Sequence, residues 1–244
     1  MSISAQRVGA LVVLFASLAL LAAAVAEPPP NQPKLSPQDA AFRRGVQWLA
    51  AAQADDGRWS LNNPQHDVAA TALGVLPLLR AEQARSTPGG DYAIQADRGL
   101  EFIVARQGED GGFGMGYYHG LASFALCEAY ALTGDPTLAG PARKAVRYIV
   151  NAQGPNGGWR YVAGQDGDTS VTVWMMQALG AAERGGLTVP RKTWDGAAAY
   201  LDTVAGKEGG YGYVTPEATP RMTASGCLGR LLLKTAVTDA HLLC

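Results

Sequence analysis

The sequence predicts an all-α chain in which about four helical hairpins stand side by side in two layers, as a barrel or an arc of one. Two observations carry this prediction. One frame recurs four times: an aromatic residue, Gln five residues on, Gly nine on and a second aromatic eleven on. Its copies are Trp48, Gln53, Gly57 and Trp59; Phe102, Gln107, Gly111 and Phe113; Tyr148, Gln153, Gly157 and Trp159; and Tyr200, Ala205, Gly209 and Tyr211, where Ala stands for Gln. The first aromatics fall at 48, 102, 148 and 200, a spacing in the range of helical-hairpin arrays. The second observation is a contrast. Segments before each frame are amphipathic, whereas those after it are apolar nearly all round. A helix without a polar face must be enclosed, and inner helices surrounded by outer ones satisfy both patterns. TPR or HEAT solenoids have shorter repeats or lack the Gly-aromatic loop.

In chain order, Arg7 is followed by an apolar run ending in Ala24-Val25-Ala26, the pattern of a signal peptide cut after Ala26. An uncleaved anchor is the other reading, because the run approaches the roughly 20 residues that span a bilayer. Residues 27–36 are a proline-rich spacer, extended and solvated. The repeat domain takes up residues 37–244. Ser36 caps the first outer helix, with Pro37 at its first position, and Asp55-Asp56-Gly57 stops it. The first inner helix follows His66-Asp67. The later pairs are Ala96 to Arg106 with Leu121 to Leu132, Pro141 to Ala152 with Ser170 to Ala182, and Trp194 to Val204 with Thr223 to Thr235. Breakers separate the pairs at Thr87 to Asp91, Thr133 to Pro136 and Arg184 to Pro190.

A net charge of −1 leaves no footprint for nucleic acid or an anionic membrane. Cys127, Cys227 and Cys244 are too few and too scattered for a disulfide framework. The first two sit in apolar helical runs and read as structural thiols.

The run Arg44-Gly45 through Trp48, Gln53 and Gly57 to Trp59 resembles the QW motif of squalene and oxidosqualene cyclases. Gly157-Gly158-Trp159 followed by Asp168-Thr169-Ser170 is similar to the wider prenyltransferase and squalene-cyclase repeat superfamily. The resemblance extends over all four repeats and implies an α/α toroid whose inner helix ends surround an apolar pocket. It also implies that the Gln and Trp residues fasten outer helices together. A Gln amide can bond open backbone groups at a helix end while a ring stacks over it, so these residues are expected to be structural.

Cyclases of the hopene type take their acid from a run Asp-x-Asp-Asp-Thr-Ala, and the matching region here is Gln165 to Ser170. If the Asp-Thr-Ser end is aligned, Asp168 takes the last aspartate and Gly167 falls where the donor would stand. If the Asp-x-Asp pair is aligned, Asp166 and Asp168 match and Thr169 replaces the last aspartate. Either way one carboxylate is missing, and protonating an alkene needs a strongly acidic carboxyl set up by its neighbours. Asp166 and Asp168 are therefore catalytic candidates by resemblance. The alternative role for Asp168 is to cap the inner helix. Protein prenyltransferases hold zinc with an Asp, a nearby Cys and a distant His. The Asp168 region has no Cys, and His66, His119 and His241 share no spacing, so no metal and no cofactor are expected. Gly226-Cys227 likewise lacks the Cys and Gln run of complement-like thioester domains.

Polar residues stand at the starts of the inner helices: His66-Asp67, Tyr117-Tyr118-His119, Asp166 to Thr169, and Arg221 to Thr223. In a two-layer barrel these starts share one rim. His66, Asp67, His119 and Thr169 are thus candidates for binding a ligand over an apolar interior, although caps and loops also use such residues. His119 is a poor cap, and beside two tyrosines it is a candidate hydrogen-bonding or acid–base group. The sequence reads as an exported protein that binds an apolar isoprenoid or other lipid among residues such as Phe124, Tyr130, Trp174 and Met175. Two alternatives remain: a terpene cyclase using Asp166 or Asp168, and an interaction scaffold. A protein partner or self-association at the C-terminal edge belongs to the latter, since Thr238 to Cys244 falls where a fifth outer helix would start.

Overall fold

The computed structural model describes residues 36–61, 63–83, 92–114 and 116–233. The N-terminal apolar run, the spacer before Ser36, the Thr87 to Asp91 connector and Thr238 to Cys244 lie outside the described residues. The chain divides into two compact units, Met1–Phe42 and Arg43–Cys244. In the first, Ser36 Oγ accepts the Asp39 N–H at 3.0 Å and donates to Asp39 Oδ2 at 2.7 Å, an N-cap closed from both sides. The second contains the repeats.

The described helices are α1 (Pro37–Ala52), α2 (Asp67–Gln83), α3 (Ala93–Val104), α4 (Gly116–Thr133), α5 (Pro136–Ala152), α6 (Thr169–Arg184), α7 (Arg191–Thr203) and α8 (Pro220–Leu232). A 3₁₀ turn at Pro64–His66 leads into α2. Helices α2, α4, α6 and α8 pack side by side as an inner layer. Outside them, α3 lies against α2 and α4, α5 against α4 and α6, and α7 against α6 and α8. The fold is an all-α, two-layer α/α toroid arc, as the contrast between amphipathic and apolar helices requires. No helix among the described residues is long and apolar enough to cross a membrane.

Two helices start five residues earlier than the sequence predicts, against one to three residues for α3, α6, α7 and α8. α5 begins at Pro136 rather than Pro141, because the Asp135 carboxylate accepts the Thr137 N–H at 2.8 Å and Pro136 takes the first helical position. The Gly134-Asp135-Pro136 break is thus a start signal, and Pro141 is carried inside the helix. α4 begins at Gly116, so Tyr117, Tyr118 and His119 are helical residues rather than loop residues.

All four frames close the same backbone loop. Ala54, Gly108, Gly154 and Gly206 each donate to the carbonyl four residues on, and Gly57, Gly111, Gly157 and Gly209 each donate to the carbonyl three residues back. The glutamine amide then ties each loop forward. Gln53 Nε2 donates to Gly57 O and Gln95 O, both at 2.8 Å. Gln107 reaches Gly111 O and Pro141 O at 3.1 and 3.0 Å, and Gln153 reaches Gly157 O and Thr193 O at 2.7 and 2.9 Å. Each amide therefore spans its own loop and the first turns of the next outer helix. The indole N–H of Trp59 donates to Leu49 O at 2.9 Å and that of Trp159 to Ile149 O at 2.7 Å. Both carbonyls are in the last turn of an outer helix, where no intrahelical donor remains.

The frame glycine is required for two reasons. Gly57, Gly111 and Gly157 have φ of 86°, 93° and 86°, the left-handed region that favours glycine. A Cβ on them would lie 2.3, 2.4 and 2.1 Å from the carbonyl oxygens of Arg98, Lys144 and Gly196 on the next outer helix. Gly157→Ala combines backbone strain with overlap against a rigid helix, and is expected to cost about 2–4 kcal/mol. A lower urea midpoint would register this loss, and an unchanged midpoint would contradict it.

Candidate functional site

The four loops position the inner helices through one repeated bond. The backbone N–H of each closing aromatic donates to a side chain near the start of the following inner helix: Trp59 to Thr71 Oγ1 at 3.1 Å, Phe113 to His119 Nδ1 at 3.2 Å, Trp159 to Thr172 Oγ1 at 2.9 Å and Tyr211 to Thr223 Oγ1 at 3.0 Å. His119 thus occupies the place that threonine takes in the other three repeats. It is fully buried, with its ring 4.3 Å from that of Tyr148 on outer helix α5 and 5.7 Å from that of Phe113. Because Nδ1 accepts an N–H, the proton of the neutral ring sits on Nε2, 3.2 Å from Ser123 Oγ. Burial pushes the imidazole pKa down to about 4, so it stays neutral near pH 7.

Side chains at neighbouring inner-helix starts touch one another, along what is called the rim below. The rings of His66 and Tyr118 lie 5.8 Å apart across α2 and α4. Tyr117 OH is 2.6 Å from Ser170 Oγ across α4 and α6, and its ring is 5.9 Å from that of Tyr161. Tyr161 OH meets Tyr213 OH at 3.1 Å. The Arg160 guanidinium stands 5.8 and 5.9 Å from the ring centroids of Tyr161 and Tyr213. Beneath these side chains lies Asp168, with no exposed surface.

Asp168 caps α6. Its Oδ1 accepts the Val171 N–H at 2.8 Å and the Ser170 hydroxyl at 2.7 Å. Its Oδ2 is buried without a hydrogen bond, 3.8 Å from Arg160 Nε, which is likewise buried and unbonded. Asp166 is exposed in the loop before it. Thr169 is fully buried and holds the fourth loop in place, donating to Gly212 O at 2.7 Å, with the Tyr200 hydroxyl 3.3 Å away and itself donating to Tyr213 O at 3.0 Å. Asp67 corresponds to Asp168 in the first repeat, since each precedes its acceptor threonine by four residues. It takes the Ser60 hydroxyl at 2.6 Å and pairs with Arg58 Nε at 3.4 Å. Of the residues singled out from sequence, His66, Asp67, Asp166, Asp168 and Thr169 therefore stand at the inner-helix starts and His119 in the first turn of α4; Asp168, Thr169 and His119 have no exposed surface there.

Burial holds the Tyr117 hydroxyl above the usual phenol range, and the nearby Asp168 adds to this. It raises Tyr200 to about 12 and Tyr213 further, the latter helped by Tyr161 and Asp168. Around the start of α6 the rim therefore brings phenols and the Arg160 guanidinium together over the buried Asp168, a set suited to gripping a polar group. Sequence reasoning missed Arg160, Tyr161 and Tyr213, although a signal existed: Tyr161 and Tyr213 each stand two residues after a closing aromatic.

The far ends of the same helices carry a second polar cluster. Glu128 on α4, 2% exposed, pairs with Arg80 on α2 at 2.8 Å and with Arg184 on α6. Between the two clusters the inner helices expose apolar side chains. Leu73 is 46% exposed, and Leu76, Phe124 and Trp174 are partly so, with the Phe124 and Trp174 rings 6.4 Å apart. Tyr130 is partly buried and Met175 fully buried. Two clefts of ≈ 470 and ≈ 480 Å³ open elsewhere, one beside Arg143, Arg147 and Leu187, the other beside Asp97, Glu101 and Asp135. Neither is lined by a residue of the rim. Cys127 is fully buried, and burial raises its thiol to about 12. Among the described residues no group of three potential ligands could hold a metal ion.

No family model matches the chain. It is 25% identical over 182 residues to drimenyl diphosphate synthase of Streptomyces showdoensis, which covers 70% of this chain and 34% of that protein. Among solved structures, ent-copalyl diphosphate synthase from Streptomyces platensis superposes with a TM-score of 0.55 at 19% identity, covering 77% of this chain and 37% of that one. The chain spans about a third of the length of these relatives. The chain therefore shares the α/α-toroid fold seen in that type of terpene cyclase-like structure.

Proposed function

We propose that the chain is an exported protein that binds an apolar, isoprenoid-type ligand on the open face of its inner helices. Export rests on the apolar run before Ala26. The observation that supports binding is the exposed stripe of Leu73, Leu76, Phe124 and Trp174, bounded at one end by the Asp168 and tyrosine cluster and at the other by Arg80, Glu128 and Arg184. An apolar floor between a few convergent polar groups is the usual profile of a small-molecule site. The diphosphate-synthase names of the relatives agree with an isoprenoid body for that ligand. Binding is favoured over proton transfer because Asp168 acts as an acceptor in every contact it makes.

Farnesol titrated against tryptophan fluorescence should give saturable quenching. Trp174→Asp and Phe124→Asp, which place a charge on the stripe, should each weaken it about tenfold or more. Quenching that does not saturate, or that survives both substitutions, would remove this reading. One observation favours a second reading, a cyclase with Asp168 as acid: its Oδ2 is buried and unbonded beside the rim. Incubation with squalene and analysis for cyclised product tests that reading. Absence of product, or equal product from Asp168→Asn, ends it.

A further inference from the structure

The repeat shows how each hairpin is covered by the next, and so what the two ends of the arc are shaped to receive. In the second and fourth repeats the first aromatic of the frame is enclosed: Phe102 is 4% exposed and Tyr200 1%. Tyr148 packs on the preceding loop, where a Cβ on Gly112 would lie 2.8 Å from its ring. The equivalent residue of the first repeat, Trp48, is 69% exposed. The residues beside it on α1 tell the same story. Gly99 is packed against Val75 and Trp59, whereas no described residue lies within 4 Å of a Cβ on the equivalent Gly45. Arg44, at the position whose carbonyl receives the preceding loop in the later repeats, is exposed.

Among the described residues the other end lacks the complementary cover. The fourth loop has the same backbone bonds as the other three, and Gly209 has φ 99°. Gly57, Gly111 and Gly157 press on a carbonyl of the next outer helix, but no described residue lies within 4 Å of a Cβ on Gly209. Leu231 of α8 takes the position of Leu79 and Cys127, counted from the acceptor threonine or histidine of each repeat. Those two are 6% and 0% exposed, whereas Leu231 is 55% exposed.

We infer that a second copy of this chain docks head to tail. Trp48, Gly45 and the Arg44 carbonyl of one copy meet Gly209, the fourth loop and Leu231 of the other. The occupant is a second copy because the two faces are the halves of a junction that this sequence builds three times within itself. Such an interface is heterologous, so it gives rings or short chains rather than an isologous pair. It is also weaker than the internal junctions in one identifiable respect. Ala205 stands where Gln53, Gln107 and Gln153 supply the amide tie, so the association is reversible.

That difference provides the test. Sedimentation of the full chain over a concentration series should show a reversible equilibrium between the 25.5 kDa monomer and its multiples. Trp48→Ser should weaken association about tenfold or more, as expected for an aromatic at the centre of an interface. Ala205→Gln should tighten it about fivefold, the effect of one added net hydrogen bond. Neither substitution alters a buried residue, so circular dichroism and the urea midpoint should stay at the parent values for both. A chain that remains monomeric at high micromolar concentration overturns the proposal. So does association indifferent to both substitutions, which would place the contact on another surface.

Discussion

Trp159→Ala is expected to lower stability by about 3–5 kcal/mol, the range for truncating a buried tryptophan. The ring is 1% exposed, at the junction of α5 and α6. Its indole N–H is the donor to Ile149 O at 2.7 Å. Truncation therefore opens a cavity and also leaves a buried carbonyl in the last turn of α5 without a partner. Thermal unfolding should move down by about 6–20 °C for a domain of this size. Trp48→Ala, at a ring 69% exposed, is the internal control and should stay within about 0.5 kcal/mol of the parent. Equal losses from the two would show that the third junction is not packed as described.

The second large effect is on pH. His119 has a folded pKa of about 4 against an ordinary 6.5, because burial disfavours its charged form. Above pH 6.5 the ring is neutral in both states and contributes no slope. Between 6.5 and 4 the unfolded chain takes up a proton that the folded chain refuses, so stability falls as pH falls, by about 3 kcal/mol across the window. Below 4 the folded ring protonates too and the slope from this residue ends. His119→Thr should remove this component while retaining the acceptor for the Phe113 N–H, since threonine fills the same place in the other repeats. Urea unfolding of both proteins between pH 4 and 7 checks the difference. Parallel profiles would mean that His119 does not titrate in the way its burial implies.

The frame was legible because each of its positions is restricted to few residue types by backbone chemistry. A left-handed loop residue against a carbonyl admits glycine, and a two-pronged donor between two carbonyls calls for glutamine. The rim was less legible, because its members come from three loops and two helices that meet only after the hairpins stack. Arg160 and Tyr161 are consecutive, but Tyr213 stands 52 residues on, and the offset it shares with Tyr161 from a closing aromatic shows only once the loops are superposed. His119 illustrates the limit well. In sequence it adjoins Tyr117 and Tyr118, but on a helix it is turned by about 200° from Tyr117, so the tyrosine faces α6 and the histidine faces α5. The threonines that would have shown its role stand 12, 13 and 12 residues after Trp59, Trp159 and Tyr211, whereas a shorter loop puts His119 only 6 after Phe113.

The glutamine ties span 42, 34 and 40 residues of sequence. Each therefore couples a hairpin to its immediate successor and to nothing beyond it. The energetics of such a chain approximate a row of nearest-neighbour terms: a fault at one junction weakens the hairpins on either side and leaves more distant ones with their own contacts intact. This locality makes the hairpin, rather than the closed ring, the conserved quantity of the architecture. A run of four such hairpins can hold its loop geometry because no loop in it depends on how many others follow.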